Sequence, residues 1–214
     1  MNLQKIYEYR FRKVDQKVRQ AAWFPIAAKV HELMGAPKNI LDPCAGRCEF
    51  LNALPGVERS AVDLEDHALF RDPAIKMIFG DIFDVKLTEN KFDGIFVSNF
   101  LEHLANPEQI STFLGKMKTV LAPGGCIAIM GPNFKYCSNE YFDCADHVLA
   151  LTEVSVEEHL IGAGFEIVKT YPRFLPYSFR GYLPPMPALI GMYLNLPMFW
   201  PLLGKQFLII AKKV

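Results

Sequence analysis

Three apolar runs near the start of the chain each lead into an aspartate: Ile40-Leu41-Asp42, Ala61-Val62-Asp63 and Ile78-Phe79-Gly80-Asp81. Short apolar runs bounded by turn residues, alternating with stretches of helical period, mark βαβ units, which lay successive strands parallel in one sheet. In such a sheet the carboxyl ends of the strands share one edge. The three acids are thereby brought to the edge where ligands bind in α/β folds. Strands are expected at 38–42, 58–63, 75–79, 93–98, 125–130, 165–170 and 206–212, giving an α/β, Rossmann-like sheet with helices on both faces.

The clearest helix is 107–121, where Ile110, Phe113, Leu114, Met117, Val120 and Leu121 share a face. Asn106 caps it, Pro107 suits its first turn, and Ala122-Pro123-Gly124-Gly125 stops it. A second helix is expected to begin near Ser155, whose spacing to Glu158 is that of a capping box, and to end before Gly164. Residues 14–35, with Val18, Ala21, Ala22, Ile26, Val30 and Met34, read as a helix over the sheet, bent or interrupted near Pro25. With 214 residues, 51% of them hydrophobic, the chain suits a single domain, 1–214. Within it, 1–36 forms an N-terminal helical cap and 171–204 an apolar insertion between strands six and seven.

The 23 basic and 23 acidic residues cancel, so no global field gathers phosphate backbones, and nucleic acid is not an expected partner. The charged, aromatic N-terminus lacks the apolar core of a signal peptide, which places the protein in the cytoplasm. Five cysteines, Cys44, Cys48, Cys126, Cys137 and Cys144, contain no C-x-x-C pair. Reduced thiols are expected, with neither a disulfide framework nor a metal site.

After Asp42 the chain continues Pro43-Cys44-Ala45-Gly46-Arg47-Cys48. A pyrophosphate-binding loop needs three glycines to admit phosphates to a helix N-terminus, and cysteines here stand at two of those places. A cofactor without phosphates asks less: one close glycine, N–H donors for a carboxylate and an acceptor for an ammonium. S-adenosylmethionine fits that description. Asp63 suits its ribose hydroxyls, Asp81 the adenine amine, and Ile82 the face of the ring.

Further on stand Phe92-Asp93-Gly94-Ile95-Phe96-Val97, Leu101-Glu102-His103-Leu104 and Val120-Leu121-Ala122-Pro123-Gly124-Gly125. With Asp42 and Gly46, these motifs resemble the class I S-adenosylmethionine-dependent methyltransferases, in particular the type 11 small-molecule subgroup. The match is good over about 36–131 and architectural elsewhere. The resemblance implies seven strands in the order 3-2-1-4-5-7-6, the last antiparallel. The chain departs from the family at Pro43, Cys44 and Cys48. The cofactor positions expected are Asp42, Ala45, Gly46, Asp63, Leu64, Asp81, Ile82, Asn99 and Phe100.

Methyl transfer requires an acceptor aligned behind the methyl and, for a hydroxyl, removal of its proton. The polar, aromatic stretch 132–147 lacks helical periodicity and reads as a substrate loop. Its His147 is the expected general base, oriented by Asp146 or by Asp143. His103 holds a position that the family keeps regardless of substrate, which suggests support rather than acceptor activation. No Asn/Asp-Pro-Pro-Tyr/Phe motif follows strand four, which disfavours methylation of nucleobase amines.

The segment 171–204 is too interrupted by proline to span a membrane. It reads as a lid of the acceptor pocket, a homodimer surface, a peripheral membrane contact or plain core packing. Arg173 and Arg180 within it are candidates for an anion on the acceptor. The expected function is methyl transfer to a small-molecule acceptor, most plausibly at oxygen, with a saccharide or lipid-linked glycan intermediate favoured. A non-catalytic binding module of the same fold and, more remotely, a nicotinamide oxidoreductase are the alternatives.

Overall fold

The computed structural model describes residues 3–12, 15–65, 67–177 and 186–214. Seven strands are formed: β1 Asn39–Asp42, β2 Glu58–Asp63, β3 Lys76–Phe79, β4 Phe92–Ser98, β5 Leu121–Pro132, β6 Phe165–Leu175 and β7 Gln206–Lys213. They make one sheet in the order β3-β2-β1-β4-β5-β7-β6, with β7 antiparallel to both of its neighbours. The eight helices among the described residues are α1 Leu3–Phe11, α2 Gln16–Leu33, α3 Glu49–Asn52, α4 Pro107–Val120, α5 Phe134–Tyr141, α6 Glu153–Gly162, α7 Pro187–Leu194 and α8 Trp200–Leu203.

Each face of the sheet has its own core. Ile40, Ala61, Phe96, Ala128 and Leu208 point to the side covered by α2, α3, α7 and α8, where the Phe50 and Phe96 rings stack at 3.9 Å. Leu41, Val62, Ile95, Ile127 and Ile209 point to the side covered by α4 and α6. Strand alternation accounts for the division, since neighbours in sequence face opposite ways.

Several expectations need correction. α2 is not interrupted at Pro25, whose position forfeits one backbone bond while Ala22, Trp23, Ile26, Ala27 and Val30 keep the helix against the sheet. Thr152, not Ser155, caps α6: Ser155 is its third residue, and the two side chains close a reciprocal capping box. Part of the presumed loop 132–147 is helical, α5, with a non-helical kink at Cys137. β5 and β6 are longer than expected because their pairing with β7 extends to Pro132 and Leu175, and because β5 already pairs with β4 at Leu121.

In 171–204, Phe174, Leu175, Leu194 and Trp200 enter the core, whereas Met192, Met198 and Leu202 are exposed. Arg173 donates to the carbonyls of Gly204, at 2.7 Å, and Leu202, at 2.9 Å, so much of its donor capacity is spent on the chain itself. Arg180 lies outside the described residues. No helix among the described residues is long and apolar enough to cross a membrane.

Candidate functional site

Strand order reverses between β1 and β4, which opens a crevice at their carboxyl ends. Asp42 closes β1 and Asp63 closes β2, and the loop between β1 and α3 is tied to both. Cys44 N–H donates to Asp42 Oδ1 at 3.2 Å, Ala45 N–H to Val62 O at 3.1 Å, and Gly46 N–H to Asp63 Oδ2 at 2.7 Å. Cys48 N–H donates to Ala45 O at 2.8 Å, and its buried side chain sits at φ 58°, a left-handed conformation. α3 is a single short turn, so no long helix points its N-terminus into the crevice.

The loop therefore does not offer residues 44, 45, 46 and 48 as free N–H donors to a carboxylate. Sequence reasoning overlooked Arg47, directly after the loop glycine. Its guanidinium stacks over Phe70 at 4.4 Å, and its buried Nη1 has no hydrogen-bond partner among the described residues. Burial, together with the charge of Arg19, holds its pKa below the usual guanidinium value.

Two observations test the crevice for a cationic adenosyl cofactor. Gly46, at φ +51°, has no heavy atom within 4 Å of the place a Cβ would occupy, which leaves the close approach that the cofactor needs. Asp42 is only 4% exposed, and burial, then the charges of Asp63 and Glu49, push its carboxyl up to about 8. Such a cluster of poorly compensated acids favours a cation. The residues present thus fit the group. Beyond them, the Leu64 side chain is exposed, Asp81 is exposed just past β3, and Ile82 is buried in the core. Asn99, at φ +49°, follows β4 and lies exposed, and the half-buried Phe100 ring packs on Phe113 at 5.0 Å.

The buried Asp42 yields a stability prediction. An acid whose folded pKa is raised contributes stability below its unfolded pKa, near 4, and loses it as pH rises through the folded value. Asp42→Asn is expected to raise the Tm of the ligand-free protein by about 5 °C at pH 8 and to leave it nearly unchanged at pH 4. Calorimetric scans at the two pH values check this.

The residues expected on the acceptor side follow β4 and α5. The 3-10 turn Leu101–His103 follows β4, and His103 Nδ1 lies 2.9 Å from the Asp146 carbonyl oxygen and 3.5 Å from its carboxylate. The Asp146 carboxylate is also bonded to Arg10 of α1. Asp146 therefore serves His103 and Arg10, and Asp143 is exposed. The His147 ring packs edge-on against Tyr141, at 4.7 Å, and His103, at 5.0 Å. Burial and the neighbouring His103 charge push its pKa down to about 4. Tyr7 on α1 senses both groups of acids: burial, then Asp146, Glu102 and Asp63, push its phenol up to about 12. Neither Arg10 nor Tyr7 was singled out in the sequence, because no local pattern links α1 to residues far downstream.

Residues 41–129 match the family model described as a methyltransferase domain. Among solved structures, an S-adenosylmethionine-dependent methyltransferase from Archaeoglobus fulgidus is 20% identical, with a TM-score of 0.71 over 98% of this chain and 99% of that one. The N-methyltransferase NodS from Bradyrhizobium japonicum is 20% identical, with a TM-score of 0.55 over 83% and 86% of the two chains. The [4+2]-cyclase SpnF is 13% identical, with a TM-score of 0.61 over 89% and 80%. No curated protein matches the chain. Sheet order, acid-lined crevice and family match agree: residues 41–129 match a methyltransferase domain, the fold is the one seen in S-adenosylmethionine-dependent methyltransferases, and S-adenosylmethionine is the cofactor that the crevice fits.

Proposed function

We propose that the protein methylates a hydroxyl of a small-molecule acceptor in the cytoplasm, with a saccharide or lipid-linked glycan intermediate as the favoured substrate class. The observation that carries this reading is the placement of an imidazole–carboxylate cluster, His103, His147 and Asp146, on the same sheet edge as Asp42, Gly46 and Asp63. S-adenosylmethionine supplies an electrophilic methyl group on a sulfonium. Asp63 would accept from the ribose hydroxyls while it anchors Gly46, Asp81 would receive the adenine amine, and Leu64 and Ile82 would lie beside the adenosine. Asp42 would attract the ammonium, Ala45 and Gly46 would line its approach, and Asn99 and Phe100 would complete the cofactor site. Arg47 pairs with the carboxylate through its buried Nη1.

The acceptor's proton is drawn off at the His103–His147–Asp146 cluster. The low basicity of His147 keeps its ring neutral at pH 7, in the form that offers a lone pair. Exposed Met192, Met198 and Leu202 flank the fold with an apolar surface, which supports a substrate carrying a lipid chain.

Incubating the protein and methyl-labelled cofactor with a fractionated cell extract tests the acceptor class. Label recovered as a methyl ether on a saccharide supports it, and label on an amine or carbon overturns it. His147→Ala is expected to hold S-adenosylhomocysteine affinity within about twofold while turnover falls roughly 100-fold. Calorimetry and initial rates measure the two effects. Unchanged turnover would remove His147 from the chemistry.

A further inference from the structure

Beside the crevice, Glu102, His103 and His147 each offer one ligating atom, and the three atoms lie within 4.8 Å of one another. Glu102 is 2% exposed, and its Oε1 has no hydrogen-bond partner among the described residues. His103 Nε2 stands 4.0 Å from that oxygen. His147 Nδ1 is likewise buried without a hydrogen-bond partner among the described residues. A buried carboxylate oxygen and a buried ring nitrogen left without hydrogen bonds are costly features for a fold to keep. Both are accounted for if they share a cation.

The outer contacts fit the same reading. With its proton on Nδ1, His103 donates to the Asp146 carbonyl at 2.9 Å and presents the Nε2 lone pair toward Glu102. Metal-bound histidines make this contact, donating the far N–H to a backbone carbonyl or a carboxylate. Two imidazoles and a carboxylate form the donor set that zinc and neighbouring divalent ions use when one coordination position stays open. Bonds of about 2.1 Å would put such ligands about 3.4 Å apart, within reach of modest side-chain rotation.

We propose that Glu102, His103 and His147 bind a divalent transition ion of the zinc type, with Asp146 orienting His103. An overlapping group, Cys144, Asp146 and His147, is equally close in space. In it, however, Asp146 Oδ1 is already bonded to Arg10, its Oδ2, though without a hydrogen bond among the described residues, faces His103 Nδ1 at 3.5 Å, and Cys144 Sγ lies 3.6 Å from the Tyr177 hydroxyl. The binding site stands apart from the hydroxyl reading. Its use, lowering the pKa of an acceptor oxygen at the open position so that the proton leaves to solvent, rests on that reading and would replace proton removal by a free imidazole, since the ion would hold a lone pair of each ring.

The test uses the full chain, stripped with EDTA and titrated with Co2+ while visible absorption is followed, then with Zn2+ in competition. One equivalent of Co2+, displaced by Zn2+, is expected. Glu102→Gln, His103→Ala and His147→Ala should each weaken binding at least about 100-fold, and His159→Ala should not. Glu102→Gln conserves shape, and retained S-adenosylhomocysteine binding by that variant shows that the fold and cofactor site are intact. Absence of micromolar Co2+ binding by the parent protein overturns the proposal. So does undiminished metal binding by a Glu102→Gln protein that still binds S-adenosylhomocysteine, or loss confined to Cys144→Ser.

Discussion

Asp63→Ala is expected to weaken S-adenosylhomocysteine binding at least about 100-fold, the largest affinity loss of any single side chain in the crevice. Hydrogen bonds to a charged group contribute about 1.5–3 kcal/mol each, and the two ribose hydroxyls are assigned to this one carboxylate. The same side chain accepts Gly46 N–H at 2.7 Å and Glu65 N–H at 3.1 Å, so its removal also releases the loop that must approach the cofactor. Asp63→Asn, which keeps one acceptor oxygen, should lose only about tenfold. Isothermal titration of both variants, with circular dichroism to confirm folding, measures the series. Binding by Asp63→Ala equal to that of the parent would overturn the cofactor placement.

The features legible in the sequence are those that depend on local period and on topology. Alternation and turn residues located all seven strands, and a parallel sheet then had to gather Asp42, Asp63 and Asp81 at one edge. Helix α4 could be read to within a residue, because Asn106, Pro107 and the Pro-Gly-Gly stop fix both of its ends. Ser155 misled because two hydroxyls, Thr152 and Ser155, compete for the cap, and only the chain's approach from Leu151 decides between them. The stretch 134–141 hid a helix because it is short and kinked at Cys137.

The surroundings of His103 and His147 were the least legible. Pairing His147 with an adjacent aspartate is reasonable by sequence distance, and ligating atoms of Asp146 and His147 do lie within 4.8 Å of each other. What the sequence did not show is that Asp146 also meets His103, 43 positions away, and Arg10, 136 positions away. Contacts of that span leave no periodic trace. The glycine loop was half legible: Gly46 is open as expected, whereas the engagement of its neighbours' N–H groups, and the buried Nη1 of Arg47, follow from a φ of 58° at Cys48 and a helix only four residues long.

The Arg10–Asp146 pair carries the second large effect. Both side chains are nearly buried, at 10% and 6% exposure, so removing the cation leaves a carboxylate with little access to water. Breaking such a pair costs about 3 kcal/mol, equivalent to a Tm loss of roughly 10 °C in a chain of this size. Burial alone would raise the Asp146 pKa, but the hydrogen bond from Arg10 and the charge of His103 outweigh it and hold the carboxyl below its usual range. The sign follows: an acid depressed on folding adds stability above its unfolded pKa, near 4, and that stability drains away as pH falls through the folded value. Arg10→Ala should therefore be strongly destabilised at pH 7, and the gap from the parent should narrow as pH falls below about 4 and Asp146 takes up a proton. Urea titrations at pH 7 and pH 3.5 measure both points, and Arg10→Lys should recover part of the loss. A gap of equal size at both pH values would show that Arg10 acts only by packing. A narrowing gap, joined to a fall in turnover larger than the change in cofactor affinity, would identify α1 as the element that holds His103 in register with the acceptor.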